Sequence, residues 1–201
     1  IGGAPAVLAM QPGAGLLGSI EATHPLQAVR PARRCEAGQA WTWDGVRFEV
    51  LHPFESDYRS FTKPNAVSCV LRIDNGRASA LLAGDIERLQ ETALVMRTPQ
   101  LLRADVLLAP HHGSRTSSGE AFLDAVQPRI ALVQAGYRNR FGHPAPEVVA
   151  RYLDRGVRLV ENTRCGAAHW SSARPAEVAC ERERRARYWQ HRLSPSEPPD
   201  S

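Results

Sequence analysis

The sequence predicts an α/β fold, a mixed sheet flanked by helices, and three observations carry that prediction. Residues 40–82 read as two successive β-hairpins. Beyond Asp85 short apolar runs alternate with stretches of helical periodicity, the pattern of βαβ units. The change of period falls after Asp85, so a hairpin-rich first half is followed by βαβ units, which implies a mixed sheet. At 201 residues, with 43% hydrophobic content, the chain is long enough for one domain with a two-layer core.

Taken in order, small apolar residues among Gly13, Gly15 and Gly18 suggest a short helix over Ala4–Met10 and a strand over Leu16–Ala22. Between Ala40 and His52 the alternation of Trp41, Trp43, Val46, Phe48 and Val50 is broken by Asp44-Gly45, a hairpin signal. Trp41 and Trp43 are expected to pack in the core, an aromatic surface for bases being the alternative. Residues 53–64 form a polar, proline-bounded loop. Val67–Ile73 and Ala78–Leu82 flank Asp74-Asn75-Gly76, whose residues accept positive φ, and give the second hairpin. Ile86, Leu89, Leu94 and Val95 suit a helix with Asp85 near its N-terminus, where a carboxylate is favoured. Strands then fall at Asp105–Ala109, Ile130–Gln134 and Val157–Glu161, and helices at Gly119–Val126 and Pro146–Leu153. Ala167–Trp170 and Glu177–Glu181 close the domain as a hairpin around Ser171–Pro175. The domain is therefore placed at 1–181. The tail, 182–201, is arginine-rich and then rich in Pro, Ser and Glu, and is expected to fade into disorder.

Composition narrows the function classes. No apolar run approaches the ~20 residues a membrane helix needs. Net charge is +4, with Lys63 the only lysine. That balance tolerates a polyanionic partner without establishing one, because a GC-rich genome also enriches arginine. The four cysteines, at 35, 69, 165 and 180, include no CxxC pair, which argues against a zinc knuckle. Cys69 lies in an apolar strand and reads as a core residue. Cys165 and Cys180 flank the last hairpin and can pair in an oxidising compartment, a connectivity the sequence leaves open.

Two short segments carry the chemistry. Ala80–Ala83 runs into Gly84-Asp85, and Val106–Ala109 runs into Pro110-His111-His112-Gly113-Ser114. A carboxylate and an imidazole at the ends of two buried strands can converge on one divalent cation. Oxygen and nitrogen donors suit zinc, manganese or iron. The plainer alternative is a strand end followed by a polar loop.

LLAGDIE (Leu81 to Glu87), LLAPHHGSRTSS (Leu107 to Ser118) and NRFGHPAPEVV (Asn139 to Val149) resemble the metallo-β-lactamase-fold domain of ComEC-type DNA-uptake channels, the competence proteins of natural transformation. ARYWQHR, Ala186 to Arg192, is similar to the tail of proteobacterial members. The resemblance implies a metallo-β-lactamase-like αββα sandwich, N-terminally incomplete. In the family a His-x-(His/Asp)-x-Asp-His string precedes a Gly-Gly step, and Ile1-Gly2-Gly3 resembles the residues directly after it. The chain would then hold half of a metal site, bind metal poorly and catalyse little alone, with apolar surface left exposed. Where the wider superfamily places a further histidine, this chain has Pro64-Asn65-Ala66-Val67-Ser68. Asn65 can bond a metal-bound water or give a weak oxygen ligand.

The resemblance also implies roles. Asp85 would bridge two metals, with an N-cap as its plainer role. His111 is the better ligand because it leaves the strand first. His112 then points elsewhere by alternation, to orient a ligand, contact a phosphate or assist catalysis. His143, ahead of Pro144, would protonate a leaving oxygen or neutralise the scissile phosphate, a backbone-bonded loop histidine being the alternative. Ser114, Thr116, Ser117 and Ser118 are either phosphate contacts or plain caps. Asn139 is a substrate-side or purely structural loop residue, and Arg138 and Arg140 hold a phosphate backbone or are simply solvated. His24 and His52 read as strand-end residues. The implied cofactor is one or two ions of manganese or zinc, with no small-molecule cofactor. The implied partners are DNA and the membrane channel of the same polypeptide. The parent would sit in the inner membrane, with this domain periplasmic and acting as a nuclease on the non-transported strand. Rival readings are a stand-alone hydrolase of a phosphoester or lactone, and a non-catalytic module that holds DNA or packs against the channel.

Overall fold

The computed structural model describes residues 3–60 and 63–186. The expected disorder of the tail and the Gly-Gly step at the start lie wholly or partly outside those residues. Two small elements come first: helix α1 (Ala4–Met10), then β1 (Leu16–Gly18), helix α2 (Leu26–Val29) and β2 (Ala32–Arg34), with β1 and β2 paired in parallel. The strand expected to reach Ala22 stops at Gly18, because its partner offers only three residues.

Among the described residues seven strands make the central sheet, in the order of the chain. They are β3 (Ala40–Trp43), β4 (Val46–His52), β5 (Val70–Asp74), β6 (Ser79–Leu82), β7 (Val106–Leu108), β8 (Ile130–Val133) and β9 (Arg158–Glu161). Pairing is antiparallel from β3 to β6 and parallel from β6 to β9. The switch falls at β6, and the sheet is mixed, as hairpins followed by βαβ units imply. Between them lie helices α3 (Asp57–Ser60), α4 (Arg88–Arg97), α5 (Pro99–Leu102), α6 (Glu120–Val126) and α7 (Pro146–Asp154). Helix α8 (Asn162–Cys165), the hairpin β10 (Ala168–Trp170) and β11 (Val178–Cys180), and helix α9 (Glu181–Arg184) follow the sheet.

Strand parity assigns the faces. Leu81, Leu107 and Ala131 stand side by side in register and pack against Leu94, Leu102, Phe122, Leu123, Val126, Val148 and Tyr152 of α4–α7. Burying each such Leu or Phe contributes roughly 1.5–3 kcal/mol. On the opposite face Val106, Ile130 and Val160 pack against Cys165, Val178 and Cys180. Along the same face Leu71, Ile73, Leu82 and Leu108 are only half-buried.

Local chemistry accounts for the departures from expectation. The polar loop at 53–64 contains α3 because the Asp57 carboxylate accepts from Phe54 N at 2.8 Å and starts the turn. Val67 closes a 3-10 turn, Pro64–Val67, instead of opening β5. The two tryptophans do not enter the core: Trp43 is 69% exposed, and Trp41 stacks on Phe48 at the sheet edge. Cys69 is not a free core residue, since it is bonded to Cys35, and Cys165 is bonded to Cys180.

The two disulfides close loops of different length, with sequence separations of 34 and 15. Loop-closure entropy assigns about 4 kcal/mol to the longer bridge and about 3 kcal/mol to the shorter. Denaturant unfolding of Cys35→Ser/Cys69→Ser and Cys165→Ser/Cys180→Ser double variants is expected to show losses in that order.

Candidate metal centre

Three adjacent parallel strands deliver the site, at their carboxyl ends, where α/β sheets present ligand-binding residues. Gly84-Asp85 follows β6, the turn Pro110–Gly113 follows β7, and the loop from Gln134 to His143 follows β8. Gly84 has φ +58°, and a Cβ there would lie 3.1 Å from Ser68 Cβ and 3.2 Å from the Cys69 carbonyl oxygen. The chain passes close enough for Asp85 N to donate to Ser68 Oγ at 3.2 Å.

The turn after β7 is strained. His111 and His112 have φ of 46° and 57°, and Gly113 has φ of 78°. Left-handed conformations at successive non-glycine residues cost of order 1–3 kcal/mol each and mark functional turns. Backbone bonds hold this one: His111 N donates to Gly84 O and Ala145 N to Gly113 O, both at 2.9 Å. Ser117 Oγ donates to Pro110 O at 2.8 Å.

His112 Nδ1 lies 2.6 Å from Gln134 O. A carbonyl can only accept, so this nitrogen carries the proton. In the neutral ring Nε2 then holds a lone pair, and it faces Asp85 Oδ1 at 3.5 Å. Two electron-rich atoms so placed need a proton or a cation between them. Metal bonds of about 2.1 Å from nitrogen and oxygen can span that gap. The donor set therefore fits a divalent cation, although among the described residues no group of three His, Cys, Asp or Glu is arranged to hold one.

His111 occupies a neighbouring position. Its Nε2 is 3.3 Å from Asn65 Nδ2, and its Nδ1 is 3.4 Å from Glu87 Oε1 without hydrogen-bond geometry. His143 lies edge-on to it, with ring centroids 5.9 Å apart. Burial first, and then His111 and His112, hold the His143 pKa below its ordinary value. The Nδ1 atoms of His111 and His143 are the two buried side-chain polar atoms without a hydrogen-bond partner among the described residues. Both are in this cluster, and orphaned buried polar atoms call for a missing partner.

With that geometry in place, relatives can be compared. Over 173 residues, 86% of the chain, the sequence is 38% identical to competence protein ComA of Neisseria gonorrhoeae, covering 24% of that protein. It is 40% identical over 129 residues, 64% of the chain, to recombination protein 2 of Haemophilus influenzae, covering 16% of it. The chain belongs to the ComEC-type competence family. It spans about a quarter or less of the length of these curated relatives. No profile of an established protein family matches it. Among solved structures, a metallo-β-lactamase superfamily protein of Thermotoga maritima is 14% identical with a TM-score of 0.37, covering 69% of this chain and 71% of that one.

The ComEC-type motifs thus come together, with some residues differently placed than the sequence suggests. Asp85 pairs with the second histidine, not the first. Nor does Asp85 cap α4; Glu87 does, in a capping box with Gln90. Ser114 is buried, with its hydroxyl bonded to Thr116 Oγ1 at 3.1 Å, and has no open face for a phosphate. The helix start after Ser118 is already filled: Glu91 accepts from Ser118 N at 2.6 Å and Gly119 N at 2.7 Å. Asn139 organises its loop, accepting from Phe141 N and His143 N and donating to His143 O. Arg140 is exposed, its guanidinium 4.8 Å from the Phe141 ring centre. His52 is buried between Asp57 and Ala66 O, and His24 Nδ1 accepts from Leu26 N, so both are structural. Sequence reasoning missed Glu87 because glutamate is not among the residues favoured at an N-cap, so its spacing to Gln90 did not stand out. It also missed Glu91, for which no local signal exists.

Two outcomes follow from this geometry. A Cβ at residue 113 would lie 2.7 Å from Pro144 Cβ at a φ of +78°. Gly113→Ala is therefore expected to lose roughly 1–3 kcal/mol in denaturant unfolding. Burial pushes the Glu91 carboxyl from 4.5 up to about 7, against the pull of its two amide donors. Folded protein then holds an extra proton between those values. The stability it brings is full below pH 4.5 and is lost as pH rises through about 7. Melting temperatures of Glu91→Gln between pH 4.5 and 8 should be flatter than those of the wild type.

Proposed function

We propose that this chain is part of a metallo-β-lactamase-like hydrolase domain in a DNA-uptake protein, and that Asp85 and His112 hold a divalent cation for phosphodiester cleavage. The observation that supports this most is the 3.5 Å approach of Asp85 Oδ1 to the unprotonated Nε2 of His112. When bound, manganese or zinc there supplies Lewis-acid activation of water and neutralises charge on phosphate oxygens. The chain's own residues set the stage. Gln134 fixes the tautomer of His112, so the lone pair stays aimed at the shared position. His143, neutral at rest, offers a hydrogen bond to the scissile phosphate, whose negative charge raises its pKa toward the range for proton donation. His111 and Asn65 form the other wall, from which a second cation or a water is bonded. Substrate DNA and a membrane-channel partner are part of this reading, and membership of the competence family supports them. No helix among the described residues is long and apolar enough to cross a membrane. Two disulfides suit the oxidising, periplasmic side of a membrane.

One observation favours a second reading. Because no third acidic, histidine or cysteine side chain joins the pair among the described residues, a DNA-holding module without catalysis fits this chain taken alone. A manganese- or zinc-dependent cleavage assay on labelled DNA, with the intact uptake protein, separates the two. Asp85→Asn and His112→Ala are each expected to lose roughly 100-fold or more in rate while folding normally. Equal cleavage in wild type and Asp85→Asn ends the hydrolase reading, and DNA retention without cleavage moves the conclusion to the holding module.

A further inference from the structure

The loop between β8 and α7 carries chemistry that the metal pair does not use. Residues 134–146 contain two arginines and no acidic residue. Tyr137 and Phe141 are 49% and 65% exposed, although large aromatic rings usually bury. The Arg138 guanidinium lies 5.3 Å from the Tyr137 ring centre, and that of Arg140 lies 4.8 Å from Phe141. Phe141 also stacks on His143, with centroids 5.7 Å apart and planes 20° from parallel. Most of its surface is open despite these neighbours.

The loop backbone is tied down by hydrogen bonds before any ligand arrives. The Asn139 side chain ties the loop through four hydrogen bonds, to Gly136 O, His143 O, Phe141 N and His143 N. A preformed loop loses little entropy on binding. Exposed rings with guanidinium groups beside them match one kind of partner well: a strand whose bases are free to stack and whose phosphates need cations. In a duplex the base faces are already stacked and cannot be offered.

We propose that residues 136–143 form a stacking platform for single-stranded polynucleotide, in which Phe141 receives a base while the Arg140 guanidinium, now over that ring, turns to an adjacent phosphate. The loop would feed a strand past His143 toward the Asp85–His112 pair. Its place beside the cut rests on the hydrolase reading, but binding itself needs no chemistry.

The test is fluorescence anisotropy of the 201-residue chain, without added metal. Probes are a labelled oligodeoxythymidylate of about a dozen nucleotides and an abasic strand of equal length and charge. Phe141→Ala should weaken binding of the base-bearing strand about tenfold and leave the abasic strand unchanged. Phe141→Trp should retain binding, and Arg140→Ala should weaken both probes and flatten the salt dependence by about 0.7 in log–log slope. Equal binding of both probes, or no effect of Phe141→Ala, overturns the proposal. So does Phe141-dependent attachment to phosphatidylglycerol vesicles without oligonucleotide binding, which would assign the loop to a membrane surface. Loss of cleavage with Phe141-dependent binding intact leaves the platform standing, while normal cleavage dependence on Asp85 with no Phe141 effect removes the platform alone.

Discussion

Asp85 Oδ1 and His112 Nε2 face each other across 3.5 Å, and the architecture at that end of the sheet serves to bring them there. Left to themselves a carboxylate and an imidazole lone pair repel. A proton on His112 would turn the contact into an ion pair, but both side chains are 40–50% exposed. Such a pair is worth at most about 1 kcal/mol. Two left-handed histidines cost more than that. The contact therefore does not make the turn; the turn is imposed by its surroundings, and the facing donors are its product. A divalent cation, with a far larger attraction for both atoms, suits a geometry that the fold maintains at its own expense.

The surroundings are specific. Gly113 passes so close to Pro144 that the loops after β7 and β8 advance together, and Ala145 N bonds back to Gly113 O. Gly84 presses on Ser68 and Cys69 in the same way, with Ser68 Oγ receiving the Asp85 amide. Cys69 is in turn bonded to Cys35, so the segment under the carboxylate is tied to the element carrying β2. Both halves of the pair thus rest on a glycine that accepts close contact. The stability of the disulfide region and the position of Asp85 are one problem.

Much of this was legible in the sequence, for a physical reason. Alternation, turn glycines and period changes depend on local backbone preference, so the strands from β3 to β9 and the two strand ends that carry Asp85 and the histidine pair could be read. The choice between His111 and His112 could not. Strand-end alternation assumes extended backbone, and both residues are left-handed, so the parity rule had no purchase there. Cys35 with Cys69 was hidden because the pairing spans segments with weak local patterns. Glu91 was hidden more deeply. It leaves α4 and satisfies the start of α6, a partnership set by tertiary packing and by nothing within a dozen residues of either end.

Glu91 also bears on where an anion can be received. Phosphate at a helix start needs open amide donors. At α6 those donors already bond the Glu91 carboxyl, so a phosphate there would find no open amide. The metal pair offers no welcome alone, since Asp85 and Glu87 both turn carboxylates toward the cluster. On the proposed platform, the Arg140 guanidinium, in a stretch without acids, is where a polyanion would first find attraction. On the proposed reading the division follows from charge. Arginines and rings hold the strand, and a cation between Asp85 and His112 is needed before a phosphate can come near the carboxylates at all.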